Sequence, residues 1–513
     1  MNLIGKFYGK NIYLYDPGID YTEEDLRKLL SQFKRIEILR KISQCSVKLF
    51  NNKTRLEISG VLITNDVLLD LAKATIQYSS DTISVVIPEE AFIHLIKMCH
   101  KIYDKHLGPE TTDPEEVIMA LAYRQFIFQE KNFNLFARNY YLYKHLWKSV
   151  DNAKDFDILA EINSIIGVPL ETCLAFTYSV LGNKNGYFWP SIYNTDTLNK
   201  FGKKLHHSIS KEDFMNWLQW CSGDYDDILS VNQPINPFVL YPILNTRTKP
   251  QPDLEEVYIV ISHQLLHNKV TSGLYYALME KFNRGTQDNP FKERFGYVFQ
   301  KYVGKLLSYY FKTWEVIPEI KYKKEHNVQQ DTVDWFLLKQ DRLLMIEVKQ
   351  SSLFLKAKTT SKIDDISNDL TSTIVKAARQ LQTSRKDIIS KRYDELALFK
   401  DAKCIESMIV VNDPLYNANN IVKNLLKKNI PEIDFNIHII NINDLEIMLS
   451  NQVESESFFD ILADKSIKFP DYDFKEYNVM MFPPNDKAEI TFLMPYFDEI
   501  FGEFLSDKEN GAV

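Results

Sequence analysis

Apolar residues recur along this chain at two spacings, and the places where one gives way to the other outline its organisation. Over residues 1–105 the spacings are mixed: YTEEDLRKLLSQFKRIEIL carries Leu, Ile and Phe at helical intervals behind a Thr22 cap, while RLEISGVLI and DTISVVI read as short strands. A small α/β segment is expected there. From 106 to 284 the texture is helical. In TTDPEEVIMALAYRQFIF, Asp113 is placed as an N-cap, Pro114 as the first helical residue and Glu116 as the third position of a capping box. Helical patterns follow at FNLFARNYYLYKHLWKSV, FDILAEINSIIG, PLETCLAFTYSVLG, SKEDFMNWLQWCS and DLEEVYIVISHQLLHNKV. The turn-rich stretch FNRGTQDNP, from Phe282 to Pro290, marks a boundary, and a protease is expected to cut there and release a folded C-terminal piece.

Beyond it the two periods alternate. PFKERFGYVFQKYVGKLLSYYF sets Phe291, Phe295, Phe299, Val303, Leu306 and Tyr310 on one helical stripe. Strand-like WEVIPEIKY, TVDWFLL and LLMIEVKQ come next, then a long helix over ISNDLTSTIVKAARQLQTSRKDIISKRY. A strand CIESMIVVND, a helix NIVKNLLKK, a strand FNIHIINI and a helix DLEIMLS complete the series. Over 285–455 this predicts an α/β domain, a mixed sheet flanked by helices, and residues 456–513 read as a C-terminal extension.

Composition narrows the function. The chain has 513 residues, too many for one core of ordinary size, and a net charge of -8, so any polyanion must be met by a local patch. Its five cysteines form no CxxC pair, and its N-terminus lacks the apolar run of a signal peptide. No stretch approaches the ~18 uninterrupted apolar residues of a membrane span, so a cytoplasmic protein that engages no membrane is expected.

Charge inside a core strand is the informative feature. In VDWFLLKQDRLLMIEVKQSS, a hairpin turning at Gln340 and Asp341 sets Leu338 against Leu343, Phe336 against Met345 and Asp334 against Glu347. Directly opposed Cβ atoms lie about 4.5–5.5 Å apart, and two like charges so placed are destabilising unless neutralised. A divalent cation would do so. Lys349 shares the face of Glu347, because side chains alternate along a strand. Mg²⁺, or Mn²⁺ in its place, takes one or two protein carboxylates, withdraws charge from a phosphate and lowers the pKa of bound water, while a lysine can orient that water or offset charge on a phosphorane. A surface hairpin ending in an ordinary Glu-Lys pair would carry the same residues. It would not carry Trp335, Leu337, Leu344, Ile346 and Val348 on one face and Phe336, Leu338, Leu343 and Met345 on the other, as a strand pair buried on both sides requires.

At these residues the chain resembles the PD-(D/E)xK, or restriction-endonuclease-like, nucleases. Asp334 matches the aspartate on one strand and Glu347-Val348-Lys349 the (D/E)-x-K on the next, and the order of elements agrees over about residues 287–450. The resemblance implies Asp334 and Glu347 as metal ligands, Lys349 as the third catalytic group and DNA as substrate. Many members carry a glutamate on the leading helix; the similar place here is Gln300, and Glu293 lies two turns earlier. Gln380 on the following helix is a further accessory candidate.

From Lys349 to Arg392 there are ten basic residues against four acidic ones. Lys356, Lys358, Lys376, Arg379 and Lys386 are candidates for phosphate contacts, which bind without reading sequence; a solvated helix face would look alike. His263 and His267 in HQLLH have the spacing of a zinc pair, but Gln264 stands where a general-base glutamate would be, so a structural role is expected. His206 and His207 adjoin Lys203 and Lys204, as exposed surface does; Tyr140, Tyr141, Tyr143 and Trp147 could stack on bases, but an aromatic stripe at helical spacing is more often core. The expectation is a metal-dependent nuclease. Its N-terminal part would regulate, recognise, or bind a second copy or a partner protein, a layout similar to restriction and antiphage-defence effectors. The alternative is an inactive nuclease-like protein that binds nucleic acid or serves as a scaffold.

Overall fold

The computed structural model describes residues 2–7, 10–14, 20–51, 56–103, 133–231, 236–249, 255–283, 289–350, 368–413, 419–451, 457–470, 474–481 and 490–509. The chain is mixed α/β and divides into two compact units, each discontinuous in sequence. One comprises Met1–Tyr140, Asp157–Asn283 and Tyr496–Val513; the other comprises Tyr141–Phe156 and Arg284–Pro495.

The first unit is mainly helical. Thr22 caps the helix Glu23–Leu30 in a capping box with Asp25, but the chain turns before Arg35–Asn51, so the single helix expected over this stretch is two. Within RLEISGVLI, Leu56–Ile58 and Val61–Ile63 form a hairpin, with Ser59 and Gly60 at positive φ in its turn. DTISVVI forms no strand. The isolated bridge to Lys34 falls on Ser80, just before it; the Val85 carbonyl accepts the Lys34 N–H at 2.8 Å, and the Val85 and Val86 side chains are exposed. In DLEEVYIVISHQLLHNKV the buried run Tyr258–Val260 is a strand, and Ser262 caps a helix that begins only at His263. A continuous apolar run has no period to separate strand from helix; pairing with Ile243–Asn245 decides it here. This strand lies in a four-stranded sheet of short strands within the region expected to be helical. Leu244 and Ile259 of this sheet, and Ile261 just beyond it, share a core with Leu39, Leu71 and Ile96 of the N-terminal helices. Among the described residues no single helix is long and apolar enough to cross a membrane; Ile158–Ile166 and Leu170–Leu181 pass that test only together, and they are bent by 45°.

The second unit holds the sheet that concerns function. Asn289 caps helix α1 (Pro290–Tyr310), accepting from the Phe291 and Lys292 N–H groups, and Phe291, Phe295, Phe299, Val303 and Leu306 are buried along one stripe. Five strands follow: β1 (Glu315–Pro318), β2 (Trp335–Lys339), β3 (Arg342–Lys349), β4 (Cys404–Val411) and β5 (His438–Asn441). They lie in the order β5-β4-β3-β2-β1, the first three of the chain antiparallel and the last three parallel. Between β3 and β4 comes α2 (Lys376–Ser390), entered through a π-helical turn at Thr371–Val375, and between β4 and β5 comes α3 (Asn419–Asn429).

Helices cover both faces. Trp335 packs against Gly304 of α1 on one side, while Phe336 meets Phe399, just beyond α2, on the other. Leu370, Ile374, Ala378 and Leu381 form the buried stripe of the long helical stretch. Residues 456–513 do not form one block. Phe458 and Phe459 pack on Phe311 and Trp314 in this unit, whereas Phe501 packs on Phe136 and Tyr178 in the other. Asp113, Pro114, Glu116, Lys356, Lys358 and residues 284–288 lie outside the described residues.

Candidate active site

The hairpin pairs in the register that its apolar pattern predicts: Trp335 opposite Ile346, Phe336 opposite Met345 and Leu338 opposite Leu343. Gln340 turns the corner at a φ of 56°. Asp334, one residue before β2, therefore faces Glu347. Lys349 is on the same face, and its Nζ lies 2.5 Å from Glu347 Oε1. The group sits at the C-terminal end of the parallel strands, where open α/β sheets commonly bind ligands.

Donors surround the two carboxylates. Asp334 Oδ2 accepts the Val348 N–H at 2.6 Å, and Asp334 Oδ1 accepts the Gln300 side-chain N–H at 2.8 Å. Glu347 is fully buried, and its Oε2 has no hydrogen-bond partner. Burial raises the Asp334 carboxyl above the ordinary range, against the opposing pull of the Val348 N–H and of Lys349. Burial, reinforced by the charge of Asp334, pushes Glu347 up to about 8 even though Lys349 pulls it down. A buried carboxylate oxygen without a donor, beside a second carboxylate, suits a hard cation. Among the described residues no group of three or more His, Cys, Asp and Glu side chains is arranged to hold a metal ion. What the site offers is a pair, which is as many carboxylates as Mg²⁺ usually takes from protein.

The other candidates separate. Gln300 reaches the site; Glu293 is exposed in the first turn of α1. Gln380 of α2 donates to the Thr332 carbonyl at 2.9 Å, two residues before Asp334. Lys376, Arg379 and Lys386 are exposed on α2, and Arg379 extends to the Asn429 carbonyl at the end of α3. His263 and His267 are buried in the core of the first unit. His263 Nδ1 meets Ser46 Oγ at 3.1 Å, and desolvation holds its imidazole down to about 3. Tyr140, Tyr141, Tyr143 and Trp147 are buried as well. His206 is exposed, but His207 is half-buried with its Nε2 2.8 Å from Thr172 Oγ1.

Glu319 was not among the residues singled out by pattern. The Glu319 N–H donates to the Asp334 carbonyl at 2.9 Å, continuing the β1–β2 ladder in which Pro318 faces Trp335. Burial and the charges of Asp331 and Asp334 raise its carboxyl. Matching WEVIPEIKY to TVDWFLL, as the next pair of strands was matched, would have brought it in. Comparison with protein-family models, with curated proteins and with solved structures finds no match to this chain.

Proposed function

We propose that the chain is a metal-dependent nuclease that hydrolyses phosphodiester bonds in DNA, with Asp334, Glu347 and Lys349 as its catalytic group. One observation carries the reading: a fully buried glutamate with an unpartnered oxygen, opposed to a second carboxylate and flanked by a lysine, at one end of a mixed sheet. A buried carboxylate that keeps one oxygen unpartnered costs stability even with Lys349 on the other, so a functional use is the simplest reason for it. Asp334 and Glu347 would hold Mg²⁺ or Mn²⁺, which supplies charge withdrawal from the phosphate and a more acidic water. Lys349, whose side chain is 24% exposed, is reachable by substrate. Its ammonium orients the attacking water or stabilises the phosphorane. The exposed Lys376, Arg379 and Lys386 supply phosphate contacts from the helix that follows β3.

A binding-only reading has one observation in its favour: the Gln300 N–H on Asp334 already satisfies one oxygen of a metal ligand. Purified full-length protein incubated with linear, circular and single-stranded DNA and with RNA, in Mg²⁺, Mn²⁺ or EDTA, separates the two. Cleavage that needs the ion and is lost in Glu347→Gln supports the nuclease. Binding without any ion-dependent cleavage supports the alternative.

A further inference from the structure

Where the resembled nucleases often carry a glutamate on the leading helix, this chain has an amide, and the packing around that amide is tight. Gly296, Gln300 and Gly304 recur every four residues, on one face of α1. A Cβ on Gly304 would run into the Trp335 ring, whereas one on Gly296 would meet Gln350 Nε2 at an ordinary contact distance of 3.4 Å. The helix backbone is thus laid directly on the hairpin, and the Trp335 indole N–H donates to the Gln300 carbonyl at 2.9 Å. From this anchored backbone the Gln300 side chain spans to Asp334.

The donors can be assigned oxygen by oxygen. Asp334 Oδ1 takes Gln300, Asp334 Oδ2 takes the Val348 N–H, and Glu347 Oε1 takes Lys349; Glu347 Oε2 takes none. A glutamate at 300 would set a third carboxylate against two that already repel. With both carboxylates ionised, as a bound cation would require, they and the one ammonium leave one net negative charge, which a single divalent cation more than offsets. Among the described residues neither Glu319 nor any other His, Cys, Asp or Glu joins the pair in a metal-holding group, so a second cation would find no further anionic ligand.

We infer that Gln300 is a positioning residue: its amide holds the Asp334 carboxylate in one orientation and limits the pair to one divalent cation. The inference rests on the nuclease reading. Its test uses the full-length parent, Gln300→Glu, Gln300→Met and Asp334→Asn, with Mn²⁺ binding followed without nucleic acid by the loss of its free EPR signal, and cleavage kinetics measured alongside. The parent binds one Mn²⁺ per chain, and Asp334→Asn abolishes that binding. Gln300→Glu binds two. Gln300→Met, similar in shape but without the donor, still binds one but at least about tenfold more weakly, and it lowers kcat with little change in KM. If Gln300→Glu binds only one ion, or Gln300→Met keeps the parent's affinity, the inference is overturned while the nuclease reading stands. A parent that binds no Mn²⁺ through Asp334 overturns both. Should Gln300→Glu fail to fold, the Met variant decides alone.

Discussion

Burial governs the chemistry of Glu347. Its carboxyl, ordinarily near 4.5, is pushed up to about 8. Between those values the folded protein keeps a proton that the unfolded chain has released. The stability this group contributes is therefore full below pH 4.5 and is lost as pH rises toward 8, at up to about 1.4 kcal/mol per pH unit. In metal-free protein, melting temperature should fall across this window, and Glu347→Gln, which carries no charge to desolvate, should remove that part of the slope. An identical slope in the two proteins would show that Glu347 is ionised throughout. Substitution at the three central residues should also separate by role. Asp334→Asn and Glu347→Gln relieve repulsion, so the metal-free fold stays as stable or gains slightly, while cleavage and the Mg²⁺-induced rise in melting temperature are lost. Lys349→Ala should keep most of the Mg²⁺-induced rise and lose most of the rate. Three variants that cleave like the parent would reduce the hairpin to a structural role.

Among the elements, α1 and α2 make different contributions to the hairpin between them. The contact of α1 is steric: Gly304 leaves the space that the Trp335 ring fills. Gly304→Ala should therefore destabilise the protein by about 1–3 kcal/mol, the usual range for overpacking, which urea unfolding would measure. Unchanged stability would mean that the helix can lift from the strand at little cost. On α2 the buried stripe faces the sheet and the basic residues face solvent, so its proposed role is electrostatic. Reversing charge at Lys376 and Arg379 together should weaken binding to all DNA sequences alike and flatten its salt dependence, with Mn²⁺ affinity unchanged. A salt slope equal to the parent's would take this face out of the interface.

At the scale of the whole molecule, the chain threads each unit twice or more. Trp147, fully buried, stacks on Phe291 at 5.9 Å between ring centroids, and Tyr143 adjoins Phe295, so residues 141–156 belong to the core of the unit that carries the sheet. Phe501 and Phe504 likewise pack on Tyr178 and Phe201 in the other unit. The folded C-terminal release expected from the turn-rich stretch at 282–290 does not follow from this threading. A protein nicked there should elute from size exclusion as one species, because each piece supplies part of both units. A C-terminal piece that elutes alone and still melts cooperatively would contradict it. Loss of a buried tryptophan typically costs about 3–5 kcal/mol, a large share of the stability of a domain.

The hairpin register was legible in the sequence because it depends on neighbours: unbroken apolar residues on both strands, a two-residue turn and strict alternation leave Asp334 nowhere to point but toward Glu347. The stripe of α1 and the buried stripe leading into α2 were legible for the same reason, since each is a local period. What surrounds the pair was not. Gln300 reaches Asp334 because Gly304 lets a helix from more than thirty residues away lie against the strands, and Glu319 joins only through pairing with β2. The strand at Tyr258–Val260 and the place of Trp147 in the sheet-bearing unit were hidden likewise. An apolar residue announces that it will be buried, but which distant segment buries it is decided by packing, and packing decided which groups touch these carboxylates.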